Sequence, residues 1–131
     1  RFEVNYSFDE ENTIHLISEA NPSAIVENSI IHNIEHTDYL IIEITGELSN
    51  GNIIIHVKDN GIGIPDAKLK QILHKAENNS TGNYFGIGIY NVQERIQLAY
   101  GYDYGLKYSS DGHSYTDVEI TFPVTKQPRT F

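Results

Sequence analysis

A chain of 131 residues with 39% hydrophobic and 21% charged side chains suits one globular domain with a real core. Its formal net charge of -9 argues against a nucleic-acid partner, which calls for a basic face. Cysteine is absent, which excludes a disulfide framework and fits a reducing compartment, and no apolar run approaches the ~20 residues of a membrane span.

Phe2 to Phe8 alternates apolar and polar residues, as a half-buried strand does. Asn21-Pro22 starts a helix, with Asn as N-cap and Pro in the first turn. Ile25, Val26, Ser29, Ile30, Asn33 and Ile34 recur at helical spacing and carry that helix to about His36. Tyr39 to Leu48 and Asn52 to Val57 are Ile-rich strands around Ser49-Asn50-Gly51, a hairpin signal. A short helix is predicted from Asp66 to about Lys75, followed by a polar, mobile stretch from Glu77 to Asn83. Ile87 to Tyr100 reads as a long helix stopped by Gly101. Tyr104 to Ser109 and Tyr115 to Phe122 close the domain as a strand pair around Asp111-Gly112, and the tail frays from Pro123. The expectation is one α+β domain with helices covering one sheet face.

Two glycine segments carry the chemical signal. In Asp59-Asn60-Gly61-Ile62-Gly63-Ile64-Pro65 a carboxylate at a strand end leads into a glycine turn. Such a carboxylate can accept a hydrogen bond from an exocyclic amine, as on adenine, while Gly61 and Gly63 permit torsions and close approaches that a Cβ blocks. The same residues also suit an ordinary surface hairpin turn. Later, Gly86-Ile87-Gly88 opens a helix, whose first amides can meet phosphate oxygens. The pair follows a polar loop late in the chain, so it does not match the dinucleotide-binding βαβ pattern. Upstream, Glu27 and Asn28 lie mid-helix among Ile25, Val26 and Ile30. The Asn carbonyl could ligate Mg²⁺ and the Glu could accept a proton from an attacking nucleophile. Solvated helix polarity is the competing explanation. Lys68, Lys70 and Lys75 against Asp66 and Glu77 make 66–84 slightly positive inside an acidic chain, which favours a phosphate ligand there.

In order and separation these three segments resemble the N, G1 and G2 boxes of the GHKL ATPases. They are most similar to the C-terminal catalytic domain of bacterial sensor histidine kinases of the YesM/LytS type. Val26-Glu27-Asn28-Ser29-Ile30-Ile31-His32 is similar to that group's Val-Glu-Asn-Ala-Ile-Lys-His, and Gly86 through Gly101 follows its G2 region almost throughout. Arg1 to Val4 resembles the group's first strand and Val118 to Pro123 its last, so the resemblance covers about residues 1–123, with 124–131 as a tail.

The resemblance implies a Bergerat α/β sandwich, a mixed sheet with helices on one face. It implies ATP and Mg²⁺ as ligands, Asn28 as the metal residue and Glu27 as the general base. Asp59 would bind the adenine amine in a pocket shaped by Gly61 and Gly63. Gly86, Gly88 and Asn91 would border the triphosphate, Thr116 would join a water network near adenine, and about 66–85 would be the ATP lid. His32 is expected at the pocket edge; a zinc site built on His32 and His36 lacks a third ligand in the sequence. Tyr100, Tyr102, Tyr104 and Tyr108 are assigned to packing at a sheet edge, with stacking on a ligand as the other possibility.

The implied activity is transfer of the ATP γ-phosphoryl group to a histidine on an upstream dimerisation domain, and thence to a response regulator. With no Met in the chain, it is expected to be a piece of a longer protein. That parent would be a membrane-anchored bacterial homodimer with this domain in the cytoplasm. Departures from the pattern are Ile31 for a Lys that can reach phosphate, Asn33 for a common Gly, Ser23-Ala24 for Gln-Pro, and Tyr115 for the Gly before Thr116. Ile31 favours an alternative in which a degenerate GHKL domain responds to nucleotide without transferring phosphate. A GHKL serine kinase fits less well, given Arg95 and Tyr100-Gly101.

Overall fold

The structure, a computed structural model, describes residues 1–8, 22–69 and 87–124. Five strands form one mixed sheet: β1 (Phe2–Phe8), β2 (Leu40–Ser49), β3 (Asn52–Asp59), β4 (Gly105–Ser110) and β5 (Thr116–Pro123). Their spatial order is β1-β2-β3-β5-β4, with β1 parallel to β2 and every other pair antiparallel. The helices are α1 (Ser23–Asn33), a single turn α2 (Asp66–Leu69) and α3 (Ile87–Tyr100).

Alternation decides which face is buried. Leu40, Ile42 and Ile44 of β2 share one face with Ile53, Ile55 and Val57 of β3 and with Val118, Ile120 and Phe122 of β5. Ile25 of α1 and Val92 and Ile96 of α3 close that face, and Tyr100 stacks on Phe122 with centroids 5.7 Å apart. The intervening strand residues Glu43, Thr45, Lys58, Asp117 and Glu119 point to the other side. His56 on that side is 3.1 Å from the Asp117 carboxylate. This is the α+β sandwich with helices on one face that the sequence predicts.

The connections follow local chemistry. Asn50 and Gly51 both take positive φ, 53° and 82°, which is the type I′ geometry that twists a two-residue hairpin correctly. α3 stops at Gly101, with φ 112° and its N–H bonded to the Gln97 carbonyl at 2.8 Å. The N-cap position of α1 falls at Pro22, one residue later than predicted; the Pro22 carbonyl accepts from the Ile25 and Val26 amides. α1 also ends earlier than His36. The chain tightens after Asn33, where the His36 N–H reaches the Asn33 carbonyl at 2.9 Å. The predicted continuation of α2 to Lys75 and the polar stretch from Glu77 to Asn83 lie outside the described residues.

Candidate nucleotide site

The face of α1 that meets the sheet is unusually polar. Ile25, Asn28, Ser29, His32 and Asn33 follow one another at helical spacing; Asn28 and Asn33 are buried, Ser29 and His32 half-buried. Buried polar groups persist only where they are bonded or serve a ligand, so each needs an account.

Asn33 is explained by structure. Its amide donates from Nδ2 to the Ser29 carbonyl at 2.8 Å, and Oδ1 accepts from the Ile62 N–H at 2.9 Å. It therefore staples α1 to the loop after β3. A Cβ on Gly61 would fall 2.0 Å from Asn33 Oδ1, which is why glycine stands there. Gly63, at φ 77°, is constrained from the other side, since its Cβ would meet the His113 backbone nitrogen at 2.5 Å. The close approaches these glycines permit are to Asn33 and to the β4–β5 turn, and they hold the loop in place. Ser110 locks the same corner: its Oγ accepts from the Ile64 N–H at 2.9 Å and donates to the Tyr115 carbonyl. Within the turn, Asp111 accepts from the Ser114 hydroxyl and the His113 N–H, and these bonds hold its carboxyl well below the usual carboxylate range.

Asp59, 5% exposed, ends β3 on the core-facing side, directly opposite Thr116 of β5. The Ser29 hydroxyl donates to Oδ2 at 2.6 Å and the Gly61 N–H donates to Oδ1 at 2.9 Å. A carboxylate offers roughly four lone-pair sites, so acceptor capacity remains for an amine donor. Asp59 thus borders a narrow cleft between α1 and the end of the sheet. Ile25, Val57, Ile64 and Val118 supply its apolar walls, and Asn28, Thr116 and Tyr108 its other polar groups.

Two hydroxyls in that cleft, Thr116 Oγ1 and Tyr108 Oη, are fully buried and have no hydrogen-bond partner among the described residues. Burial first, and then the Asp59 charge, push the Tyr108 phenol far above its ordinary range, so it stays protonated. The cavity these groups enclose is about 10 Å³, and the carboxylate with spare capacity and the two hydroxyls offer acceptor and donor groups to a ring that enters between the aliphatic walls.

Four sequence-predicted residues meet at this cleft: Asn28, Asp59, Thr116 and His32, whose Nε2 lies 3.2 Å from the Gly63 carbonyl oxygen. No hydrogen bond to a described residue engages the Asn28 side chain, so its carbonyl is available to a cation. Glu27 is exposed on α1 and does not line the cleft. Gly88 sits in the first turn of α3, and Asn91 is exposed further along it. Gly86 lies outside the described residues, as does nearly all of the predicted lid. Ile31 is 54% exposed. Among the described residues, no group of three or more His, Cys, Asp or Glu side chains could hold a metal unaided; Mg²⁺ commonly takes one or two protein ligands and shares the rest with phosphates and water.

Ser29 and Ser110 were not expected at the site from the sequence, and Tyr108 was assigned to sheet-edge packing with ligand stacking as the other possibility. The signal for Tyr108 was period-2 alternation in β4, which puts Leu106, Tyr108 and Ser110 on the face shared by Thr116 and Val118.

Comparison with known proteins assigns the family. The family model for histidine kinase-, DNA gyrase B- and HSP90-like ATPases matches residues 18–126. The chain belongs to that family and is a histidine kinase-like ATP-binding domain. Among its relatives, it is 34% identical over 128 residues to the sensor histidine kinase YesM of Bacillus subtilis, covering 94% of this chain and 20% of that protein. It is 31% identical over 122 residues to the sensor protein LytS of Staphylococcus saprophyticus, covering 91% and 20% respectively. The chain therefore spans about a fifth of the length of these relatives. The histidine kinase domain of a blue-light activated kinase from Erythrobacter litoralis superposes with a TM-score of 0.62 at 19% identity, over 96% of this chain and 56% of that one. That likeness establishes a shared fold. No helix among the described residues is long and apolar enough to cross a membrane.

Proposed function

We propose that this domain binds Mg-ATP in the cleft beside Asp59 and transfers the γ-phosphoryl group to a histidine on a dimerisation helix outside this chain. The observation that carries the reading is Asp59 itself, buried, oriented by two hydrogen bonds and facing Thr116 across the strand pair. Its remaining lone pairs suit the adenine exocyclic amine. Gly61 and Gly63 hold the loop, His32 closes the pocket edge, and Gly86, together with Gly88 and Asn91 of α3, borders the triphosphate. Asn28 is the residue that would hold Mg²⁺, which supplies charge neutralisation at the phosphates when bound.

In the transfer, the acceptor imidazole nitrogen attacks the γ-phosphorus, the bond to the ADP oxygen breaks, and Glu27 takes the imidazole proton. Exposure of Glu27 suits a base that meets an acceptor arriving from outside the domain. Such chemistry depends mainly on positioning and charge stabilisation, which a small domain can supply. The phosphate then passes to an aspartate of a response regulator. The parent is a membrane-anchored homodimer with this domain in the cytoplasm. Exposed Ile31, at the position where the resemblance leads to the expectation of a phosphate-reaching Lys, favours the second reading, a domain that binds nucleotide and transfers nothing.

The test is radiolabel transfer. Residues 1–131 alone are expected to bind ATP with little self-phosphorylation, and the parent protein to form acid-labile, alkali-stable phosphohistidine. Glu27→Gln in the parent should keep ATP and lose transfer ~10²–10⁴-fold. A parent protein that binds ATP yet forms no phosphohistidine under activating conditions points to the second reading.

A further inference from the structure

Tyr108 lines the cleft, yet the proposed function gives its hydroxyl no role. The residue as a whole is half-buried, but Oη is fully buried and has no hydrogen-bond partner among the described residues. The sheet register fixes where it stands. Asp59, Thr116 and Ser110 form one cross-strand row at the end of the sheet, and Val57, Val118 and Tyr108 form the next row inward. The long phenol rises from that second row into the wall that Asp59 and Thr116 also line. The phenol remains protonated in this setting, so it is a donor lining the same cleft as the Asp59 acceptor.

An unpartnered buried hydroxyl costs stability, and phenylalanine would fill the same space without that cost. A ligand that arrives with an acceptor next to its amine removes the penalty. Adenine offers that pairing, since its exocyclic amine is flanked by ring nitrogens. Asp59 can take the amine while a hydroxyl donates to a neighbouring nitrogen. Guanine reverses the pattern, because it presents a carbonyl where adenine has the amine.

We propose that Tyr108 is a specificity-determining residue of the nucleotide site. Its hydroxyl donates, directly or across one ordered water, to a ring nitrogen flanking the amine read by Asp59. The inference rests on the ATP-binding reading and deepens it, by adding a donor to the recognition of the base.

The experiment is calorimetric titration of the folded wild type and Tyr108→Phe with ATP, 1-deaza-ATP and 7-deaza-ATP, alongside thermal melts without ligand. Tyr108→Phe is expected to bind ATP about three- to tenfold more weakly. Its ligand-free melting temperature should be unchanged or higher, an outcome that a structural role for the hydroxyl does not give. One of the two deaza analogues should bind both proteins equally, identifying the nitrogen. ATP binding unchanged by the substitution, or a loss equal for all three nucleotides, overturns the role of Tyr108. Failure of the wild type to bind ATP at all would instead overturn the underlying reading of the site.

Discussion

At the scale of single residues, the cleft is defined by polar groups buried beyond what folding alone requires. Asn28 illustrates the argument: asparagine is a poor helix former, and here it is 7% exposed in the middle of α1. If its carbonyl serves a cation, Asn28→Ala should weaken Mg-ATP binding at least tenfold while leaving the ligand-free melting temperature within a few degrees. Calorimetry with and without Mg²⁺, paired with a thermal melt, checks this; an unfolded variant would make Asn28 structural. Tyr108 gives a second expectation. Its folded-state pKa is raised above the ordinary 10.0, so the folded protein keeps a proton that the unfolded chain loses. Stability should therefore decline as pH rises from about 10, because the unfolded state then binds fewer protons than the folded state. Urea unfolding at pH 9 and pH 11 should show a shallower decline in Tyr108→Phe than in wild type, and identical slopes would remove Tyr108 from the account.

At the scale of elements, the loop after β3 is held between α1 and the β4–β5 turn, and its two glycines record those contacts. Gly61→Ala should destabilise the domain by ~1–3 kcal/mol, as overpacking against a fixed neighbour does. Because the obstacle is the Asn33 side chain, the double variant with Asn33→Ala should cost less than the sum of the single ones. Chemical denaturation of the four proteins gives the coupling, and strict additivity would contradict the contact. This corner also shows how much of the site was legible in the sequence. Strand alternation, the Asn50-Gly51 turn and the Gly101 stop place every described strand and the two long helices within a few residues, because each depends on local chemistry. Asp59, Asn28 and Thr116 could be named in advance because their segments keep a recognisable spacing. Asn33 and Ser29 could not be resolved from helix polarity, since their partners, Ile62 and Asp59, lie 29 and 30 residues away. Tyr108 was hidden for a similar reason: among several neighbouring tyrosines, only the β4–β5 register separates the one that lines the cleft.

At the scale of the molecule, the sheet brings strand ends from β3, β4 and β5 to one edge of the core and lays the polar face of α1 across them. Under the proposed reading an acidic domain holds a polyanionic ligand by taking the base into the narrow, largely apolar cleft and setting the phosphates toward the start of α3, since a helix N-terminus favours negative charge. The central claim is that Asp59 reads the adenine of ATP. Titration of ATP and Mg²⁺ into wild type and Asp59→Asn, with folding of both verified by circular dichroism, tests it most directly. Loss of a charged partner in a buried site costs ~1.5–3 kcal/mol, so the wild type should bind saturably at one site and the variant about 10- to 150-fold more weakly. Equal affinities in two folded proteins would contradict the claim.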